Sequence, residues 1–391
     1  MPLEKIIVKK IKNILGKRKN YPLHEPFFSG NEKKYLFHAL KKNYVSSIGG
    51  GEFINKFEKK IKNFTKARYC ISVVNGTEAL HLSLIALGVK NNDEVLLPSL
   101  TFAGTANAVM YCNAIPHFVD SELETLGIDP AKLENYLKKI TIIQNNQCYN
   151  KKTKRRIRAI IPVHVFGNVC KIDEILKIAN KYKLKLLEDS AESLGSFFHN
   201  KHTGIFGDVG CISFNGNKII TTGGGGAIIT NDKTIAQNIR HLSSTAKIKH
   251  QWEYIHDKVG YNFRMPNLNA ALGLAQIENL NKFLKFKRRL FNKYCNEFKK
   301  VKGIAFISEQ KYSKSNYWLN TIFINNSSIK KRNKILTLAH KNKLFLRPVW
   351  RPLHTLKHFR KMPKMNLNQA TKIYKSCINL PSSASYLNFQ K

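Results

Sequence analysis

Residues 184–226 read LKLLEDSAESLGSFFHNKHTGIFGDVGCISFNGNKIITTGGGG, and this stretch decides the fold. An apolar run, Leu184 to Leu187, ends in the carboxylates Glu188 and Asp189. A second apolar run, Val209 to Phe214, is followed by Asn215-Gly216-Asn217-Lys218 and then by the glycines 223–226. Runs of this length, bounded by turn-forming residues, predict two buried strands. In an open α/β sheet the residues just beyond the carboxyl ends of strands line the ligand crevice, so Asp189 and Lys218 are candidates to face one site.

Outward from this stretch the pattern alternates between strand and helix from residue 68 onward. Strands are predicted at Tyr69 to Val74, Glu94 to Leu97, Ile115 to Val119, Arg158 to Val163, Leu184 to Leu187, Val209 to Phe214 and Ala227 to Thr230. Helices are predicted at Thr77 to Leu87, Ala103 to Cys112, Pro130 to Lys138, Lys171 to Lys181 and Thr234 to Leu242. Strands with interposed helices predict one large α/β domain around a seven-stranded, mainly parallel sheet. The chain divides into an N-terminal helix and arm (1–24), this large domain (25–250) and a smaller C-terminal α/β domain (251–391), which suits 391 residues.

An aspartate at one strand end and a lysine 29 positions later at the next suggest a clamp for pyridoxal phosphate, in which lysine binds the aldehyde as an imine and aspartate pairs with the protonated ring nitrogen. The segments Glu188-Asp189-Ser190-Ala191-Glu192-Ser193-Leu194-Gly195 and Ser213-Phe214-Asn215-Gly216-Asn217-Lys218 with its glycine run resemble the DegT/DnrJ/EryC1/StrS family of nucleotide-sugar aminotransferases. The resemblance is greatest to the branch that aminates C4 of keto-sugars toward bacillosamine- and legionaminic-acid-type amino sugars, and it runs from about residue 22 to the C-terminus. It implies fold type I of the pyridoxal-phosphate enzymes, a homodimer with shared sites, and a nucleotide-sugar substrate with glutamate as amino donor. The products would serve bacterial surface-glycan biosynthesis.

The resemblance also assigns roles. Lys218 is the catalytic amine and Asp189 the partner of the ring nitrogen. Asn75-Gly76-Thr77 opens a helix after the first strand, where free N–H groups favour a phosphate; with Ser213 it looks like the family's phosphate cup. Phe102, just past a strand end, corresponds to the aromatic that stacks on the cofactor ring; without that resemblance, ordinary core packing is the favoured reading. Glu192 stands where much of the wider family has Gln or His beside the cofactor's phenolic oxygen, which makes it a cofactor-binding candidate, and the C4-aminating branch commonly shows Glu there. Asn262, within Gly260-Tyr261-Asn262-Phe263-Arg264, corresponds to an asparagine that reaches the partner subunit's phosphate cup. Gly224 departs from the family, which often carries an acid there.

Substrate candidates are less specific. Ser47 lies in the loop Val45 to Gly51, where glycines and small hydroxyls let backbone approach a ligand, or which is a plain interhelical turn. His164 follows a strand and either edges the site or serves as a structural hydrogen-bonder. Arg347, Trp350 and Arg351, in Leu346 to His354, are placed at the mouth of the cleft, where the arginines would take a diphosphate or remain surface charges.

Composition narrows the remaining classes. Lys+Arg number 66 against 25 Asp+Glu, a formal charge of +41. This excess is spread along the chain among many Ile and Asn, without a zinc-finger, RNP or KH signature, which argues against a nucleic-acid-binding module. The densest run, Lys151 to Arg156, is expected to be a solvated loop. Seven cysteines form no CxxC pair and several sit in apolar contexts, so a reducing cytoplasmic setting is expected. There is no signal-peptide pattern and no apolar run of membrane-span length. Residues 3–15 carry Ile7, Ile11, Ile14 and Leu15 on one helical face among lysines, predicting either a membrane-surface helix or a helix packed on the enzyme or its dimer mate. A related dehydratase chemistry, in which histidine replaces the lysine, is disfavoured by Lys218.

Overall fold

In the computed structural model, which describes residues 1–47 and 51–387, three helices come first: α1 (Leu3–Leu15), α2 (Glu32–Lys41) and α3 (Glu52–Thr65). The alternating region follows as β1 (Tyr69–Val73), α4 (Gly76–Ala86), β2 (Glu94–Pro98), α5 (Ala103–Tyr111), β3 (Ile115–Val119) and α6 (Pro130–Ile140). It continues through the hairpin β4 (Thr141–Gln144) and β5 (Gln147–Asn150), then β6 (Arg156–Ile160), α7 (Ile172–Lys181) and β7 (Lys185–Asp189). The short pair β8 (Phe197–Phe198) and β9 (Lys201–His202) precedes β10 (Val209–Ser213), β11 (Gly226–Thr230) and α8 (Lys233–Leu242). A small hairpin, β12 (Lys247–Ile248) and β13 (Ile255–His256), leads into α9 (Asn267–Glu278) and α10 (Leu280–Phe298). The chain ends with β14 (Ile304–Phe306), β15 (Ser313–Lys314), β16 (Asn320–Ile324), α11 (Ile329–Lys341), β17 (Arg347–Pro348), α12 (Asn368–Ser376) and β18 (Cys377–Leu380).

All seven predicted strands lie in one sheet in the order β1-β11-β10-β7-β6-β2-β3. The run from β10 to β3 is parallel, and β11 is antiparallel to both β1 and β10. The sheet is nine-stranded rather than seven-stranded, because β4 and β5 add an antiparallel hairpin beside β6. Its turn is Asn145-Asn146, with φ of 48° and 58°. Two successive left-handed residues match the right-handed twist of a tight hairpin, and asparagine tolerates that conformation. The basic run beside it is only partly a solvated loop: Lys151 and Lys152 are exposed, but Arg156 begins β6 and donates through Nε to Asp93 at 2.9 Å.

Alternation along each strand separates two cores. Cys70, Ile212, Ala227 and Ile229 face α3 and α9, whereas Ile71, Val73, Cys211 and Ile228 face α4, α5 and α8. Residues beyond α9 build a second, antiparallel sheet in the order β14-β16-β18-β17. Helix α1 packs there against α10 and α11. Ile7, Val8, Ile11, Ile14 and Leu15 are buried with Leu290, Tyr294 and Ile335, so the apolar face of α1 is covered by the protein itself and the membrane-surface reading falls. The arm between α1 and α2 is pinned by Ser382 N–H donating to Leu23 O (2.7 Å), Tyr386 Oη–H to Pro22 O (2.5 Å) and Gln276 Nε2–H to Phe27 O (3.0 Å).

No helix among the described residues is long and apolar enough to cross a membrane. All seven cysteines are free.

Candidate functional site

The sheet register brings three strand ends and one strand start to a single edge. Cys211 pairs with Asp189, Ser213 with Gly226, and Val73 with the same Gly226. The carboxyl ends of β1, β7 and β10 therefore open into one cavity of about 290 Å³, lined among others by Gly76, Thr77, Phe102, Asp189, Glu192, Ser213, Lys218 and Trp350. The predicted cluster is thus brought together in a concave site at the strand ends.

At one end of the cavity, β1 turns into α4. Asn75 caps the helix by accepting the Glu78 N–H at 2.8 Å, a cap that contributes about 1 kcal/mol. The N–H groups of Gly76 and Thr77 then lie in the first helical turn, where the helix supplies no acceptor. A Cβ on Gly76 would come within 2.9 Å of Ser213 Cβ, so only glycine lets this helix start approach the Ser213 hydroxyl so closely. The helix end and the hydroxyl form an anion-sized cradle.

Asp189 lies across the cavity, buried at 5% exposure. Thr105 Oγ1–H donates to its Oδ2 at 2.8 Å, and Ala191 N–H to its Oδ1 at 3.2 Å. Burial pushes this carboxyl above its ordinary range despite those two bonds. A buried acid without an ion-pair partner within contact distance suits a protonated ring nitrogen. Phe102 is 61% exposed at the cavity rim, beside Gly104, where a Cβ would come 3.2 Å from its ring. Anion cradle, exposed aromatic and buried acid match the phosphate, ring face and ring nitrogen of pyridoxal phosphate.

Lys218 follows β10 on the Asn215–Lys218 turn. Its Nζ–H donates to Glu192 Oε1 at 3.0 Å, with the two side chains 13% and 5% exposed. The Phe166 N–H donates to Glu192 Oε2 at 2.9 Å. Burial pushes the Glu192 carboxyl up, and the Lys218 charge pulls it back.

Other predicted residues stand elsewhere. His164 is a correction: it is fully buried and does not line the cavity. Its Nε2 lies 3.1 Å from Glu188 Oε2, and its Nδ1 accepts the Cys170 N–H at 3.3 Å. Val163 lines the cavity, and the alternation of an extended chain sends the next side chain to the opposite face. Trp350 lines the wall, its ring 4.4 Å from that of Phe166, but Arg347 is exposed on β17 and Arg351 donates through Nε to Thr355 Oγ1 at 3.0 Å. Neither arginine lines the cavity, and Ser47 does not either; Ile48, Gly49 and Gly50 of its loop lie outside the described residues. Asn262 is exposed, bridged to Ser244, and does not line the cavity of its own chain.

Sequence reasoning missed three contributors. Thr105 holds Asp189, and Trp318 forms a wall beside Lys218. Glu188 accepts N–H groups from Gly204, Phe206 and Gly207 at 2.6–2.9 Å, tying the loop before β10 to the strand that carries Asp189. Its place beside Asp189 was a visible signal; Trp318, a hundred residues from Lys218, offered none. Among the described residues no cluster of His, Cys, Asp and Glu could hold a metal ion.

Comparison with known proteins agrees with this geometry. The sequence profile of the DegT/DnrJ/EryC1/StrS aminotransferase family matches residues 28–388. GDP-perosamine synthase of Escherichia coli O157:H7 is 36% identical over 373 residues, covering 95% of this chain and 96% of that protein. UDP-4-amino-4,6-dideoxy-N-acetyl-beta-L-altrosamine transaminase of Campylobacter jejuni is 29% identical, covering 88% of each. The structure of Helicobacter pylori PseC, an aminotransferase involved in the biosynthesis of pseudoaminic acid, superposes with a TM-score of 0.84 at 24% identity, covering 95% of this chain and 96% of PseC, which places the fold among the aminotransferases. With the family matched across nearly the whole chain and a cavity shaped for pyridoxal phosphate, this protein belongs to the DegT/DnrJ/EryC1/StrS aminotransferase family.

Proposed function

We propose that this aminotransferase converts a 4-keto-6-deoxy nucleotide sugar, of the UDP-2-acetamido-2,6-dideoxy-4-hexulose type, to the 4-amino sugar, with glutamate as amino donor. The observation that carries the chemistry is the pairing, in one cavity, of Lys218 with buried Asp189. The reading of the sugar is supported by the Campylobacter jejuni relative, whose name specifies a UDP-linked 4-amino-4,6-dideoxy sugar. The more similar Escherichia coli relative, named for GDP-perosamine, supports a second reading in which the nucleotide is GDP.

When bound, pyridoxal phosphate supplies an aldehyde carbon that carries the nitrogen and a ring that draws electrons from the reacting bond. Gly76 and Thr77 N–H groups with the Ser213 hydroxyl would hold its phosphate. Asp189 Oδ, kept in place by Thr105 and Ala191, would hold the proton on the ring nitrogen. Phe102 would lie against the ring. Lys218 Nζ would hold the aldehyde and, as a free amine, would move the proton at the donor and acceptor carbons. Glu192 orients that amine, and the Trp318 and Trp350 walls exclude water. Asn262 is assigned to the phosphate cup of a partner subunit in a homodimer, which agrees with its exposure outside its own cavity.

A panel of 4-keto-6-deoxy nucleotide sugars, assayed with glutamate, tests the reading. Preferred turnover of the UDP-2-acetamido sugar to the 4-amino product supports it. Preference for the GDP sugar selects the second reading, and no amination of any 4-keto sugar overturns both.

A further inference from the structure

Trp318 reaches the cavity from the loop before β16 and is held on three sides. Its indole Nε1–H donates to Asn217 O at 2.7 Å, its backbone N–H donates to Asn316 Oδ1 at 2.7 Å, and its carbonyl accepts Lys287 Nζ–H at 3.0 Å. The first of these bonds ties the indole to the residue directly before Lys218. Over the face of this ring lies Lys218 Nζ, 4.1 Å from the centroid. The same Nζ is 3.0 Å from Glu192 Oε1. The amine therefore sits between a carboxylate and an aromatic face, and both attract an ammonium group.

We propose that the Trp318 indole face and the Glu192 carboxylate together form the resting place of the Lys218 ammonium whenever its amine is free, which makes Trp318 a positioning residue for amino transfer. This rests on the reading of Lys218 as the reacting amine. Amino transfer requires that lysine to be released and then to return, and a flexible four-carbon stem explores many rotamers once released. The pair of contacts keeps Nζ within the cavity that Asp189 and Ser213 also line. To react again the ammonium must shed one proton, and Glu192 is the acceptor in contact: ammonium and carboxylate become amine and carboxylic acid, with charge conserved and no further reactant.

The remaining charged and titratable groups around Lys218 set its surroundings. Asp189 stands at the end of β7, its carboxyl pushed up by burial and drawn down by Lys218 among others. His24, from the N-terminal arm, lies behind the indole with its ring centroid 6.3 Å away. Burial, Lys287 and Lys218 together hold His24 well below its ordinary pKa, so it is neutral there. The nearby anions are thus Glu192 and Asp189, and Glu192 is the one that touches Nζ.

The test compares Trp318→Leu, Trp318→Phe and Glu192→Gln with the parent enzyme. Cofactor is removed, and the rate at which pyridoxal phosphate reloads is followed by visible absorbance. Loading requires the amine to leave its two contacts, so removing either of them speeds it. Up to about tenfold faster loading is expected for Trp318→Leu. Turnover should fall about tenfold in the same variant, because the released amine is no longer held in the cavity. Trp318→Phe keeps an aromatic face and should load at close to the parent rate. Glu192→Gln, which leaves the wall in place, should load faster, as Trp318→Leu does.

A loss of packing alone slows turnover without speeding loading, so the opposed changes separate positioning from damage. An unchanged loading rate in Trp318→Leu, or equal rates in the Phe and Leu variants, overturns the inference. If Trp318→Leu does not fold, Trp318→Phe and Glu192→Gln decide: an unchanged loading rate in Glu192→Gln overturns it. Lys218→Ala is the control. If that variant still binds cofactor with the visible band and turns over, the reading of Lys218 is what fails; if it is silent while the Trp318 variants match the parent, only the resting place fails.

Discussion

Replacing Asp189 by asparagine changes the charge opposite the ring nitrogen while nearly preserving shape. In the native site Thr105 Oγ1–H and Ala191 N–H each donate to one carboxylate oxygen, at 2.8 and 3.2 Å. One of these contacts must become donor against donor in the amide, unless the Thr105 hydroxyl rotates toward Thr101 Oγ1, 2.9 Å away. The larger effect is electrostatic, since a neutral amide no longer holds a proton on the ring nitrogen. Turnover should fall by about two powers of ten or more, equivalent to about 3 kcal/mol of barrier. Single-turnover amino transfer, followed by the cofactor's visible spectrum, measures the step without product release. The cofactor-free protein should respond in the opposite sense. The folded-state pKa of Asp189 is raised, so between the unfolded and folded values the native state binds more protons, and stability falls as pH rises through that window. Removing the charge should therefore raise the melting temperature of cofactor-free protein at neutral pH. Turnover within twofold of the parent, or a lower melting temperature for a properly folded cofactor-free variant, would refute the assignment.

Gly76→Ala places a methyl group 2.9 Å from Ser213 Cβ, so cofactor affinity should fall about tenfold or more, roughly 1.4 kcal/mol, in equilibrium titration, while the secondary structure seen by circular dichroism is retained. Lys287 is fully buried, its Nζ–H groups donating to Trp318 O and Ser382 O at 3.0 and 2.5 Å, and burial holds it well below its ordinary pKa. The unfolded chain then binds more protons than the native state until about pH 10.4, so this residue makes stability rise with pH above its folded pKa; denaturant melts across pH should show a flatter dependence in Lys287→Met. A heterodimer of a Lys218→Ala chain and an Asn262→Ala chain should regain activity at one intact site when the two impaired proteins are mixed, whereas demonstrated subunit exchange without recovery would show that Asn262 serves its own chain.

Much of this site was legible because it follows strand ends. Asp189, Ser213, Gly76 and Lys218 each lie at or just past the end of an apolar run, and the shared direction of β1, β7 and β10 gathers such ends at one edge. The same logic misplaced His164, since knowing that a residue follows a strand does not tell which face its side chain takes. Trp318 and Thr105 arrive from distant elements, and no spacing along the chain reports a contact made by tertiary packing. The hairpin β4–β5 was legible in principle: Asn145-Asn146 between two short runs is a turn signal, but the neighbouring lysines gave the segment the look of a solvated loop. For α1 the period was readable and the partner was not, because the same apolar stripe fits either a membrane surface or α10 and α11.

The central claim is that Lys218 is the amine that engages the cofactor. Borohydride reduction of the pyridoxal-phosphate-loaded enzyme, followed by proteolysis and mass spectrometry, tests it directly. The account predicts the reduced cofactor on the peptide carrying Lys218 and on no other lysine. Label on a different lysine, or an unlabelled Lys218 peptide from enzyme that shows the visible band, would contradict it.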